Sequence, residues 1–576
     1  PFLINEDESD CNKIVTNCAM QGKKLKLHEN IIKSEALVKN NYKIKIMRRS
    51  FYKIVTVLLV FLPQISKADV TLNAIFSNHM VIQRETEVPI WGWADVGEQV
   101  EVVGSWGNKA TVVTGKDGKW RVDLQTPKAG GPYKITISGK NRIEINDVLS
   151  GEVWLCTGQS NMDFELSKFV NDAREPQYQP LVEYIRNEVA TANDDHIRHI
   201  EVLQTTSLFK PQTNFEGHWI SANPEQIGKI TATGYFFAKE LRKALDVPIG
   251  LVECSWGGTR IQPWISEKVY LADKNLKAYY EATMSELKSA IKKADADNFR
   301  DTLYEVKYEK WIAKGRPGSK PNSKHPLNNM QNPTTLYNAM VNPIIPYKVK
   351  GVLWYQGESN SHFFEERYEA YFTTLIKSWR EAWGQGTMPF YWMQLAAYKV
   401  PDRRSDLGWA MVNDHLRRTL KLPKTGMAVL YDLGEAKDVH PHNKMDASKR
   451  LALWALKNDY GMNVPVISGP LYNSYEVIGD KIQIEFKEVG SGLMVGEKQL
   501  LNATVAVDKP LKWFEIKGVD GVWKPAEAHI FSKNKIEVSH PEITDPTHVR
   551  YAWSSYPEGA NLYNKEGLPA AVFTTE

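Results

Sequence analysis

Residues 154–166 read WLCTGQSNMDFEL: an apolar run through Trp154, Leu155 and Cys156 breaks into Thr157-Gly158-Gln159-Ser160-Asn161 and resumes as an amphipathic stretch. The pattern predicts strand, tight turn and helix, with Ser160 exposed on the turn and its amide at the helix start. A serine so placed suits a helix cap and a nucleophile equally well. Three further clusters bear on the choice. SWGGTRIQPW sets Gly257 and Gly258 at a turn, WYQGESN supplies Gln356, Glu358 and Asn360, and LYDLGEAKDVHPHNK supplies Asp432, Asp438, His440 and His442. Each alone reads as an ordinary turn or cap. Together they offer a hydroxyl, a base for its proton, a carboxylate to orient the base and amides to hold a developing oxyanion, which are the parts of serine acyl transfer. His440 would take the Ser160 proton, while the Gly257 amide and the side-chain amide of Gln356 or Asn360 would bind the oxyanion.

Stepping from these residues to what must carry them, each cluster follows an apolar run: GEVWLCTG, VPIGLVECSWGG, VKGVLWYQGE, and TGMAVLYDLG, with MPFYWMQLA between the last two. Helical segments such as 231–246 and 364–384 separate these runs, which predicts an α/β domain with a parallel sheet covered on both faces. In an open parallel sheet ligands bind beyond the carboxyl ends of the strands, which is where the four clusters fall. Residues 69–150 instead alternate apolar and polar over short stretches between Gly, Asp-Gly and Pro turns, and predict a β-sandwich domain. The catalytic domain is expected over 151–469, with 265–325 as a charged helical insertion, and 470–576 is β-rich again. Trp256, Arg260 and Trp264 beside the glycine turn, with Glu358 and Asn360 on the neighbouring turn, are candidate substrate contacts. The two tryptophans serve equally as packing for the turn, and Glu358 as a buttress for its own turn.

The chain has 576 residues and a formal charge of +4, but residues 1–68 hold twelve Lys/Arg and six Asp/Glu. Within them Met47–Lys53 is basic, Ile54–Leu62 apolar and Ser66-Lys67-Ala68 a small-x-small cleavage site, the layout of a signal peptide over 47–68. Residues 1–46 show no organised pattern and are expected to be non-structural. The remaining chain carries 60 basic against 62 acidic residues, so its balance gives no reason to expect nucleic acid or membrane insertion as a partner. Of four cysteines, Cys156 and Cys254 lie beyond residue 68 at the ends of apolar runs, as expected of buried free thiols rather than a bridge. No metal-ligand spacing, phosphate loop or dinucleotide fingerprint occurs, so no metal or cofactor is expected. The oligomeric state is not legible.

The chain resembles bacterial sialate O-acetylesterases, a branch of the SGNH hydrolases. The resemblance rests on FSNHMVIQR, VPIWGWADVGEQV, DVLSGEVWLCTGQSNM, GYFFAKEL, SWGGTRIQPW, LYNAMVNPIIPYKVKGVLWYQGESN, DVHPHNK with RLALWAL, and NLYNKEGLPAAVF. It implies a flavodoxin-like SGNH-hydrolase sheet and a cofactor-free esterase acting through an acetyl-serine, with Ser160 as nucleophile and His440 as base. The oxyanion donors it implies are the amides of Ser160 and Gly257 and a side-chain amide, with Gln356 ranked ahead of Asn360. The superfamily sets Asp three residues before His, but Lys437 stands there and Asp438 lies two before. Asp438, Asp432 or a backbone carbonyl therefore remain as the partner of His440. The expected substrate is an O-acetylated sialic acid or other glycan, and the expected location is secreted, in the periplasm. An acetylxylan or other plant-polysaccharide deacetylase and an inactive glycan-binding protein are the alternatives.

Overall fold

One strand, β1 (Arg142–Gly158), organises the architecture of the computed structural model, which describes residues 69–297, 301–314, 321 and 323–576. The segments expected over 1–46 and 47–68 lie outside those residues, as do 298–300, 315–320 and 322 of the 265–325 insertion. β1 runs for 17 residues, and its last eleven are all buried. Such a strand must be covered on both faces, which is why GEVWLCTG reads as an apolar run and not an alternation.

The first part of β1 pairs antiparallel with Gly130–Ser138, and its later part pairs parallel with β4 (Ile249–Ser255) and β5 (Gly351–Tyr355). With β2 (Asp194–Glu201), β3 (Trp219–Ala222), β6 (Phe390–Met393) and β7 (Thr425–Ala428), the strand order is β3-β2-β4-β1-β5-β6-β7. Only β3 in this series runs antiparallel to its neighbour. Sequence neighbours lie on opposite sides of β1, so the chain direction across the sheet reverses there. This is the switch point at which doubly wound sheets open a crevice.

Side chains of β1 alternate between two cores. Trp154 and Cys156 pack with Phe237, Leu241 and Leu451, from α2 (Ala232–Leu245) and α7 (Lys444–Asn458). Val153 and Leu155 belong to the opposite core with Phe372, Leu375, Val412 and Leu416, from α5 (Tyr368–Trp383) and α6 (Arg403–Thr419). A four-residue helix, α1 (Ser160–Asp163), follows β1, and the insertion contributes α3 (Lys274–Ala296) and α4 (Thr302–Ala313). Cys156 and Cys254 are buried free thiols.

The expected breaks at residues 150 and 469 are not breaks in space. β1 carries the antiparallel sheet of the first region directly into the parallel sheet, making one sheet of eleven strands. A second sheet of three strands shares its core through Val88, Ile90, Val122 and Leu124. At the other end, the hydroxyls of Tyr431 and Tyr551 lie 3.1 Å apart, tying the β-structured 470–576 region to the end of β7. Residues 69–576 pack as a single unit.

β1 ends in Gly158, with φ of +136°, and a Cβ there would collide with the Tyr355 carbonyl of β5. Gly158→Ala should therefore force the two central strands apart and destabilise the fold by roughly 2 kcal/mol or more. A urea denaturation midpoint equal to that of the wild type would contradict this packing.

Candidate active site

Ser160 opens α1, so its N–H is one of the first-turn amides that a helix leaves without an internal acceptor. Gln159, the residue before it, has no side-chain capping bond. Its Oε1 instead accepts from Gln356 Nε2 at 3.1 Å and from the Ser359 N–H at 3.2 Å. The turn after β5 thus folds around Gln159, and Ser160 is left facing the loop after β7. There His440 Nε2 lies 2.8 Å from Ser160 Oγ, within reach for proton transfer. The Phe164 ring packs 4.3 Å from the imidazole, holding it from one side.

Asp438 stands behind His440. Its Oδ1 accepts the His440 backbone N–H at 3.0 Å and lies 3.5 Å from the ring Nδ1, a long contact of the kind that tightens when substrate binds. Burial works to raise its carboxyl, but the His440 contacts and the Arg174 guanidinium at 3.1 Å outweigh that and hold it below the usual carboxylate range. Asp432 is not a partner of His440. Arg450 grips it with two bonds of 2.6 and 2.7 Å, and the Tyr563 hydroxyl donates to it at 3.3 Å, so it is a buried structural anchor. His442 is buried with Nδ1 2.8 Å from Glu435.

The donors differ from expectation. Gln356 is fully buried, and its Nε2 points at Gln159 Oε1, the Thr259 carbonyl and Asn360 Oδ1. Asn360 spends its own amide on Gln262 and the Phe363 carbonyl. Both amides brace the turns, with their N–H groups engaged by acceptors of the fold. The Gly257 backbone does reach Ser160, since a Cβ there would sit 3.2 Å from Ser160 Cβ. Its N–H donates to Asp163 Oδ2 at 3.1 Å in this structure. Trp264 is fully buried, with its indole N–H on Thr259 at 3.2 Å, and Trp256 is buried too, so both pack the turn and neither is a substrate contact. Arg260 is half-buried and reaches the surface beside that turn. Glu358 is buried as a buttress: its Oε1 accepts from Asn161 Nδ2 at 2.7 Å.

Sequence reasoning missed four contributors: Asn161, Lys444, Arg174 and Glu175. Asn161, next to Ser160, also donates to the Val439 carbonyl at 3.0 Å, and its Oδ1 accepts from Lys444 Nζ at 2.6 Å. One side chain thus joins the serine turn, the Glu358 turn and the histidine loop. Burial drives the Lys444 ammonium down to about 7 despite Glu358, Glu435 and Asp438, while burial raises Glu358. Arg174 and Glu175 grip the histidine loop from outside through the Lys437 carbonyl and N–H. Asn161 and Lys444 stand inside the quoted GQSNM and DVHPHNK motifs and carried a signal. Arg174, 263 positions from its partner, carried none.

The two aspartates should separate cleanly. Asp438→Asn should cut turnover strongly with little change in KM. Asp432→Asn should instead cost about 3 kcal/mol of stability by leaving buried Arg450 unpaired. Because the folded Asp438 carboxyl is depressed, its stabilising share is complete above the unfolded value near ~4 and is lost as pH falls through the folded value. The stability gap between wild type and Asp438→Asn should therefore close in acid. Denaturation curves and steady-state kinetics on both variants check this, and a folded Asp438→Asn enzyme with normal turnover would remove Asp438 from the site.

Comparison with known proteins places this chain in a family. Residues 150–304 and 322–458 match the family described as carbohydrate esterase, sialic acid-specific acetylesterase. The sialate O-acetylesterase of Rattus norvegicus is 28% identical over 547 residues, covering 86% of this chain and 92% of that protein. The sialate O-acetylesterase of Mus musculus is 26% identical over 544 residues, covering 87% and 93%. The crystal structure of XAC1771, a novel carbohydrate acetylesterase from Xanthomonas citri, is 33% identical with a TM-score of 0.70, over 88% of this chain and 100% of that one. Similar chains thus come from mammals as well as a bacterium, and the resemblance is not confined to bacterial enzymes. The chain belongs to the sialic acid-specific acetylesterase family of carbohydrate esterases and is a hydrolase of carboxylic esters acting in carbohydrate O-deacetylation.

Proposed function

We propose that the chain removes O-acetyl groups from sialic acids through an acetyl-serine, on an SGNH-type site built from Ser160, His440 and Asp438. The 2.8 Å approach of His440 Nε2 to Ser160 Oγ is the observation that carries this reading, because a glycan-binding protein has no need of it. Ser160 Oγ attacks the acetyl carbonyl as its proton passes to Nε2. The tetrahedral intermediate then collapses, the C–O bond to the sugar breaks, and the imidazolium returns the proton to the departing hydroxyl. Water attacks the acetyl-serine with His440 again as base, releasing acetate and restoring the hydroxyl. Asp438 orients the ring and offsets the imidazolium charge.

The oxyanion falls to the Ser160 N–H and to the Gly257 N–H, the latter once the developing charge displaces the Asp163 carboxylate from it. A donor aimed at the developing charge contributes about 3 kcal/mol to such a transition state, and at Gly257 the lost bond to Asp163 offsets part of that. The basic, apolar, small-residue order of Met47–Ala68 supports export to the periplasm.

Acetate release from 9-O-acetyl-N-acetylneuraminic acid and from acetylxylan tests both parts of the proposal. The wild type should prefer the sialate, and Ser160→Ala should retain less than about a thousandth of its turnover. Preference for acetylxylan would replace the substrate, and an active Ser160→Ala enzyme would replace the mechanism.

A further inference from the structure

Arg260 lies three residues beyond Gly257, on the turn whose backbone stands against the nucleophile. Its guanidinium carbon sits 3.6 Å from the centroid of the Phe363 ring, which comes from the turn after β5 and is itself exposed. The backbone on either side is pinned. The Arg260 N–H donates to Gln331 at 3.0 Å and the Ile261 N–H to Asn360 at 3.0 Å, so the two turns that meet here hold the arginine in place.

What the guanidinium lacks is an acid. Among the described residues no carboxylate pairs with Arg260, whereas Arg174, Arg198, Arg242, Arg450 and Arg550 each hold one. Burial lowers its pKa, and Tyr279 is the one titratable neighbour acting against that. A half-desolvated charge without a counter-ion is costly, and stacking on Phe363 returns only part of that cost. The stack occupies the flat face of the group and leaves its edge, a planar fork of N–H donors, for an acceptor from outside. A carboxylate matches that fork with two parallel hydrogen bonds.

We infer that Arg260, mounted on Phe363, is the specificity residue that receives the carboxylate of an acidic sugar while the sugar's acetyl ester reaches Ser160. The assignment rests on the sialate reading above. It separates acidic from neutral acetylated sugars by one charge-assisted contact at the rim, and leaves the chemistry at Ser160 and His440 as it is.

The test uses 9-O-acetyl-N-acetylneuraminic acid and its methyl ester, which differ only in the charge that Arg260 would read. The wild type should favour the free acid in kcat/KM by roughly 10- to 100-fold, mainly through KM, as expected for a hydrogen bond to a charged group. Arg260→Met, which keeps an unbranched chain against Phe363, should bring that preference close to one, and Arg260→Lys should keep part of it. Acetylated uronic acid oligosaccharides measured alongside identify the source of the carboxylate. A preference for the acid that survives in Arg260→Met overturns the assignment alone. A wild type that deacetylates only neutral sugars overturns the sialate reading and the assignment together.

Discussion

The close approach of Gly158 to the Tyr355 carbonyl is the constraint on which the rest of the site depends. β1 and β5 run parallel to that point, and the Gln159 N–H then donates to the same Tyr355 carbonyl at 2.9 Å. Only a residue without a side chain lets the chain leave the sheet there. The chain turns at once into α1, Gln159 is drawn under the β5 turn, and Ser160 is delivered to the rim. Had β1 ended one residue later, alternation would have sent the serine side chain into a core. The position of Ser160 is therefore a property of strand pairing before it is a property of the serine.

Around that point the protein spends polar side chains on bracing. Gln159, Gln356, Asn360 and Asn161 are all buried, and each joins one loop to another. Buried amides must find partners or cost free energy, so a set that satisfies one another has few alternative arrangements. The buried Lys444 adds a charge to this network, close to Glu358 and under the aromatic rings of Phe169 and Tyr355. A network closed in this way holds the loops to one arrangement, which is what a serine and a histidine 280 positions apart require.

The parts of this arrangement that were legible in the sequence are those set by the polypeptide's regular geometry. Apolar runs alternating with helical segments gave the parallel sheet, and the rule for strand ends brought Ser160, Gly257 and His440 to one rim. Asp438 was readable from its place beside His440, and Asp432 stayed open because its Arg450 partner lies 18 positions on, in a helix chosen by packing. The direction in which an amide points was not legible. Gln356 has donor chemistry suited to an oxyanion, but the fold places three acceptors around it, and composition cannot reveal that. Trp256 and Trp264 failed as substrate contacts for a related reason: beside a glycine turn an indole fits the core and the surface equally well, and here the sheet left room in the core. The edge strand β3, its neighbour β2 and helix α6 carried weaker patterns and emerged only with the sheet.

β1 also changes what the first region of the protein is. A strand that hydrogen-bonds in an antiparallel sheet at one end and a parallel sheet at the other transmits force along a continuous backbone, with no hinge between. The residues before 150 therefore work as a fixed mount for the strand that leads to Ser160. Ser160 is thereby held at one distance and angle from the first region's sheet, which a module joined by a flexible linker would not be.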